Sequence, residues 1–432
     1  MGALLFLTIF GGSSIAAIIK SPKYALYLYV FVYFCMNEKV NWWVLAIPNF
    51  QWSLIAVVVL IVSCVVHWDK KEEWPGCCPS IKWLIAFFVV MVAILPFTVF
   101  PDVSSQYAYQ FSKYIIIFIL ICLVVKEWSC YQWFIWLYLS GCFYFSFYAY
   151  RFPIRIQGRL EGIGPPDAND SNMFAALLVT TIPFIITRVL KPSLKSRFVS
   201  VVYLVFILNA IVLCSSRGAF IGLSAAMVVY VLIEKNKKRK IYLLFGVILA
   251  GCAFLYLSDD FFMDRLSTLE DPSAEGAGGR VTTWAYVFNM FKDHPFGAGG
   301  RSIAYMSPQY LPEYMLSNNG LRAAHNTYLT VLVEQGFIGL LSFLGFIMSV
   351  FWNLHKLRHG LILKIKGNKV PAFMNELYLD AGALIASLVG LLVCSIFIDR
   401  VYFEPLYWLC ALSCVMVNFS KSLDSQELNT SG

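Results

Sequence analysis

Apolar runs long enough to cross a bilayer recur along this whole chain, and they leave it little else to fold into. A hydrocarbon core asks for about 20 apolar residues per helix, and about twelve to thirteen such runs can be counted here. Only helices and closed barrels satisfy their own backbone in lipid, and runs of this length suit helices. The expected fold is therefore an all-α polytopic membrane protein. Composition agrees: of 432 residues, 59% are hydrophobic and 13% charged, against about a quarter charged in soluble domains. No soluble domain of ordinary size fits between the runs. The first run has no basic residue before it and no convincing cleavage site, so it reads as a retained span.

The formal net charge of +8 does not point to nucleic acid, because the basic residues gather in short loops. That is the positive-inside pattern. Segments 191–197, 235–240 and 356–369 are decisively basic and are expected on the cytoplasmic side. Spans near 241–257 and 327–354 separate the last two, so the long polar loop 258–326 faces outward, as does the break at Ser215-Ser216-Arg217-Gly218. Arg151, Arg155 and Arg159 also fall outside if 173–187 is one span. Basic residues on the disfavoured side suggest an anion site facing out; the bland alternative is that Pro183 breaks that span. The cysteines sit mostly within apolar runs, where Cys acts as a small hydrophobe, so no disulfide framework is expected.

The outer loop carries the residues with chemical capability. Trp284, Val287, Phe288 and Phe291 recur at helical spacing, which predicts a helix over 281–293 resting its apolar face on the membrane-embedded body. Pro295 should end it near His294, leaving His294 a capping role. Gly276, Gly278 and Gly279 open the backbone at its start, where free N–H groups favour an anion, and Arg280 can add a forked contact. His325, just before the next span, is either a general base or an imidazole bonded to the end of its own helix. Arg217 is either a snorkelling arginine or a ligand contact. Arg155, Arg159, Arg301 and Arg322 are further candidates for substrate contact, with solvation the ordinary alternative. Asp167, Asn169 and Asp170 suit a helix cap better than a metal site, and no metal ligand set is assigned.

The order of these motifs resembles a known family. Ser216-Arg217-Gly218-Ala219, Gly279-Arg280 with Trp284, Asp293-His294-Pro295-Phe296-Gly297-Ala298-Gly299, Ala324-His325-Asn326-Thr327-Tyr328 and Glu334-Gln335-Gly336-Phe337 are similar to the O-antigen ligase and polymerase superfamily. Residues 263–274 and 164–172 look like one branch, the O-glycosylation ligases associated with exosortase systems. The likeness covers roughly 150–345. It implies a multi-pass enzyme of the bacterial inner membrane, acting on the periplasmic face. Such an enzyme takes a glycan from undecaprenyl pyrophosphate and passes it to a hydroxyl of a glycan, lipid or protein acceptor. The resemblance assigns pyrophosphate binding to Arg217 and Arg280 and catalysis to His325; no cofactor is implied. One departure stands out: the family's ligases are described with both ends inside, whereas the charge pattern here sets the N-terminus outside.

Residues 1–150 are then N-terminal spans, 151–354 the ligase or polymerase core, and 355–432 a basic loop with the last spans. A polymerase using the same donor is the alternative to a ligase. A lipid-linked oligosaccharide flippase or exporter is a third reading, but it would place charges within spans at mid-membrane depth, and here they collect in loops. A metal-dependent transferase would want acidic residues in the first outer loop, which has only Glu38.

Overall fold

A computed structural model describes residues 2–68, 78–156, 158–191, 193–257, 277–317, 320–365 and 372–430. The 263–274 stretch, Gly276, Cys77, Lys366 and Lys369 lie outside them. The described residues form an almost wholly helical bundle. In order its helices are α1 (Gly2–Ile19), α2 (Lys23–Cys35), α3 (Trp52–Val66), α4 (Pro79–Ala93), α5 (Pro101–Val124) and α6 (Trp128–Arg151). After a short hairpin, β1 (Arg155–Ile156) with β2 (Arg159–Leu160), come α7 (Ser171–Val179), α8 (Ile182–Val189), α9 (Leu194–Leu213), α10 (Arg217–Ile233) and α11 (Lys237–Leu257). The polar loop holds α12 (Ala277–Asp293) and α13 (Ser302–Tyr310), and the chain closes with α14 (Thr327–Ile365), α15 (Ala372–Cys394) and α16 (Glu404–Thr430).

Seven helical stretches among the described residues are long and apolar enough to cross a membrane, and three shorter apolar helices accompany them. Their burial sorts them. The α7–α8 stretch and α15 are 78% buried, whereas α1 is 17% and α4 and α9 are 28% buried. The first pair forms the centre, and the others turn Leu5, Val89, Phe198 and Val205 outward, as a lipid-facing surface requires. Small residues let the centre close: Gly222 of α10 and Gly390 of α15 stand where a Cβ would press on the facing helix, the packing device of membrane bundles.

The α7–α8 stretch is one apolar unit with a break at Thr180-Thr181. Pro183 sits in the first turn of α8 and cannot donate to the preceding turn. The freed Thr180 carbonyl accepts from Ser387 Oγ at 2.6 Å, so the break stays satisfied inside protein, as it must at membrane depth.

The ends of the bundle differ in chemistry. At one end the basic segments meet. Arg188 pairs with Asp380 at 2.6 Å, Lys191 with Glu376 at 2.7 Å, and Arg358 Nη2 donates to the Ile233 carbonyl at 3.0 Å. At the other end gather the hairpin, the α9–α10 break, the long loop and the 395–403 connection. This agrees with the parity of the basic loops.

Three expectations need correction. Cys78 and Cys414 form a disulfide with Cα atoms 6.3 Å apart; they are 336 residues apart in sequence, so no local spacing could announce the pair. The span expected at 327–354 is a helix running to Ile365, interrupted at Gly336, which has φ 70° and ψ −175°. The loop helix starts at Ala277, so Gly278 and Gly279 lie in its first turn, not before it. Its buried stripe is Thr283, Val287 and Met290, while Phe288 is 43% exposed. The face that packs is thus rotated from the expected one.

Candidate active site

Among the described residues, the non-glycine positions with left-handed backbone are Ser215, Arg301 and His325, with φ of 47°, 59° and 49°. Each such residue costs of order 1–3 kcal/mol and persists only where its surroundings enforce it. All three lie at the loop-bearing end of the bundle, and two of them are residues the sequence had marked.

His325 is held from both sides. On its C-terminal side Asn326 caps α14, its Oδ1 accepting from the backbone N–H groups of Tyr328 and Leu329 at 3.0 and 3.1 Å. Thr327 then binds the 395–403 connection: its N–H donates to the Ser395 carbonyl at 2.9 Å and its hydroxyl to the Ile398 carbonyl at 2.8 Å. On the N-terminal side the Ala324 carbonyl accepts from Trp284 Nε1 at 3.0 Å. Trp284 is one turn after Arg280 on α12, so this bond sets the first turn of α12 beside the imidazole. The helix-end role goes to Asn326, which leaves the His325 ring for other work.

Burial, followed by the charges of Arg280 and Arg322, pushes the His325 pKa down to about 4, with Asp170 opposing. A buried cation next to two other cations is disfavoured. The ring is therefore neutral at pH 7 but a weak base, and an anion that offsets the two arginines would return it towards the basicity of a proton acceptor.

A second group is built around Asn172. Asp170 caps α7 by accepting from the N–H groups of Asn172 and Met173 at 2.9 and 3.0 Å, which fixes that first turn. Asn172 Oδ1 then accepts from Arg159 Nη2 at 2.8 Å and from Ser216 Oγ at 2.9 Å. Ser216 is the N-cap of α10, so Arg217 is delivered beside Arg159, close enough for their charges to repel. Two guanidiniums held together by a scaffold make a place for an anion. Asp170, whose charge reaches His325, is two residues from Asn172 and links the two groups.

The remaining candidates divide. Arg322 lies near His325, and its backbone N–H donates to Ser307 Oγ at 2.8 Å. Arg301 Nη1 donates to Tyr107 Oη at 2.6 Å. Arg155 stays exposed on β1. Asp167 and Asp170 act in the packing of the loop: Asp170 as the cap above, and Asp167 by accepting from the Tyr33 hydroxyl and from the Glu404 N–H at 2.9 Å.

A cavity of about 450 Å³ opens beside His325 and Arg301. Its lining also holds Glu334, from the Glu334-Gln335-Gly336-Phe337 motif, and three residues that sequence reasoning did not single out: Asp399, Arg400 and Tyr402. Burial raises the Asp399 pKa and lowers that of Arg400. The available signal was a charged pair, Asp399-Arg400, lying between the last two apolar runs, a position where charge is costly and tends to be functional.

No curated protein matches the chain. Residues 202–344, the stretch that carries Arg217, Arg280, His325 and the Gly336 break, match the O-Antigen ligase family model (Wzy_C).

Proposed function

We propose that this protein is a membrane glycan ligase that moves a glycan from undecaprenyl pyrophosphate to an acceptor hydroxyl on the periplasmic face of a bacterial inner membrane. The observation that carries the reading is His325, held with φ 49° in the lining of a cavity and near Arg280 and Arg322, at the same end of the bundle as the Arg159–Arg217 pair. His325 takes the proton of the incoming hydroxyl as its oxygen bonds to the anomeric carbon. The bond from that carbon to the pyrophosphate breaks, and the electron pair leaves with the phosphate. Attack from the face opposite the leaving group inverts the anomeric centre. Arg217 and Arg280 stabilise the charge gathering on the leaving group. Pyrophosphate is a good leaving group, so the scheme requires no metal, nucleotide or covalent intermediate. The acceptor is a glycan, lipid or protein hydroxyl, and the exosortase-type branch is the one its loop motifs favour.

The test compares cells carrying wild type and His325→Ala at matched protein level. The ligase reading expects carrier-linked glycan to accumulate and the conjugate to vanish. If long chains disappear while single units remain attached, the protein is a polymerase using the same donor. Unchanged pools would remove His325 from catalysis altogether. Arg280→Lys, which keeps the charge but loses the planar fork, should slow transfer by about tenfold or more.

A further inference from the structure

The cavity beside His325 is unlike the arginine groups that flank it. Arg159, Arg217 and Arg280 stand outside its described lining. Inside, Arg301 and Arg400 share the wall with Asp167, Glu334 and Asp399, a mixture of signs. The rings of Tyr107 and Tyr402 meet there edge to face, with centroids 4.7 Å apart. A diphosphate placed in this cavity would meet three acidic side chains. A sugar would not be repelled, because every hydroxyl both donates and accepts: carboxyls take its protons and guanidiniums offer theirs.

Arg400 makes the demand specific. Its residue is 1% exposed, its Nη1 donates to the Asp167 carbonyl at 3.3 Å, and its guanidinium lies over the Phe403 ring at 4.2 Å. Its Nε and Nη2 have no hydrogen-bond partner among the described residues. Buried donors without acceptors are costly, and a guanidinium does not escape by losing a proton. Arg400 is itself part of the cavity lining, so an oxygen of a molecule bound there can supply an acceptor. About 450 Å³ falls in the usual range of small-molecule sites, about 300–1,000 Å³.

We propose that this cavity is a saccharide subsite in which Arg400 donates to an oxygen of a sugar ring adjoining the reacting bond. The ring belongs either to the first sugar of the donor or to the terminal sugar of the acceptor. The proposal rests on the ligase reading, and it divides the site: arginines on one side of His325 for phosphate, a wall of mixed charge on the other for sugar.

The test uses the full-length protein in nanodiscs and three probes: undecaprenyl pyrophosphate, the same carrier bearing N-acetylglucosamine, and free di-N-acetylchitobiose. Arg400→Gln removes the charge and the Nε donor. Gln110→Ala, a half-buried change at the cavity wall, carries the test if Arg400→Gln fails to fold. A subsite for the donor sugar predicts that wild type prefers the glycosylated carrier to the bare one, and that the variants lose about tenfold or more of that affinity with bare-carrier binding unchanged. A subsite for the acceptor predicts the same loss for chitobiose, with both carriers unaffected. The proposal is overturned if the variants weaken the bare carrier as much as the glycosylated one. It is equally overturned if wild type binds both carriers alike and no chitobiose. Wild type that does not bind even the bare carrier would sink the ligase reading instead.

Discussion

Because burial and two neighbouring arginines hold the His325 imidazole near 4, its base form is present well below the pH where a free histidine titrates. The folded pKa is lowered, so the neutral ring persists above about pH 5 and is lost only as pH falls through the region of 4. The profile of kcat/KM, which reports the free enzyme, should therefore be flat between about pH 5.5 and 8, with no limb near the usual value of about 6.5. Bound pyrophosphate offsets the arginine charges, so the limb in kcat should lie at higher pH than the limb in kcat/KM. Coincident limbs near 6.5 in both profiles would show that Arg280 and Arg322 do not act on the imidazole. His325, Arg217 and Arg280 could be marked in the sequence because each is a chemically capable residue in or at the edge of an outward segment, and the family resemblance proposes their roles. Arg400 was not, because what distinguishes it is two buried guanidinium nitrogens without acceptors among the described residues, and that exists only in three dimensions.

At the scale of elements, the break in α14 organises the outer loop. With Gly336 out of helical geometry, the Val333 and Glu334 carbonyls accept from the N–H groups of Ala298 and Gly299 at 2.8 and 2.9 Å, and Phe337 donates to the Pro295 carbonyl at 3.1 Å. The Pro295–Gly299 turn is stitched into the helix, and the Ala298 carbonyl in turn accepts from Val99 at 3.0 Å. A Cβ on Gly336 would run into the Phe296 backbone, and its positive φ is strained for any L side chain. Gly336→Ala should thus release the loop at a cost of about 2 kcal/mol or more. Trypsin cleavage at Lys292 or Arg301 in purified protein should quicken by about tenfold or more; an unchanged cleavage rate would mean the stitching contributes nothing. The helices themselves could be read from the apolar runs. The break could not, because glycine is common in membrane helices, and the run on both sides of it looks continuous.

Over the whole molecule, the end opposite the site is locked by charge. Arg188 and Asp380 are fully buried and doubly bonded at 2.6 and 3.0 Å, with Gln132 of α6 accepting from the same guanidinium at 3.2 Å. Asp380→Asn leaves a buried cation without its counter-charge, which typically costs about 3–5 kcal/mol. The expected result is a lower melting temperature in detergent, while donor affinity of the surviving protein stays normal; a loss of affinity without loss of stability would place this pair in the substrate path. The sequence conveyed the all-α class and, through loop charge, which connections share an end. It was silent on which distant residues pair, as with Cys78 and Cys414, because pairing across the bundle leaves no periodic trace.

The Asp380 lock and the Ser395 tether of the His325 segment are carried by, or directly follow, the single helix α15, about 22 Å apart along its axis at the helical rise. That helix works as a ruler. One of its marks is clamped among the basic segments and the other is fastened beside His325, so the distance of His325 from the basic end follows from a count of residues. In the proposed ligase reaction, the carrier's phosphates are also tied to a height, that of the lipid headgroups. On that proposal bilayer thickness becomes a reaction parameter, bringing the two planes into register or out of it.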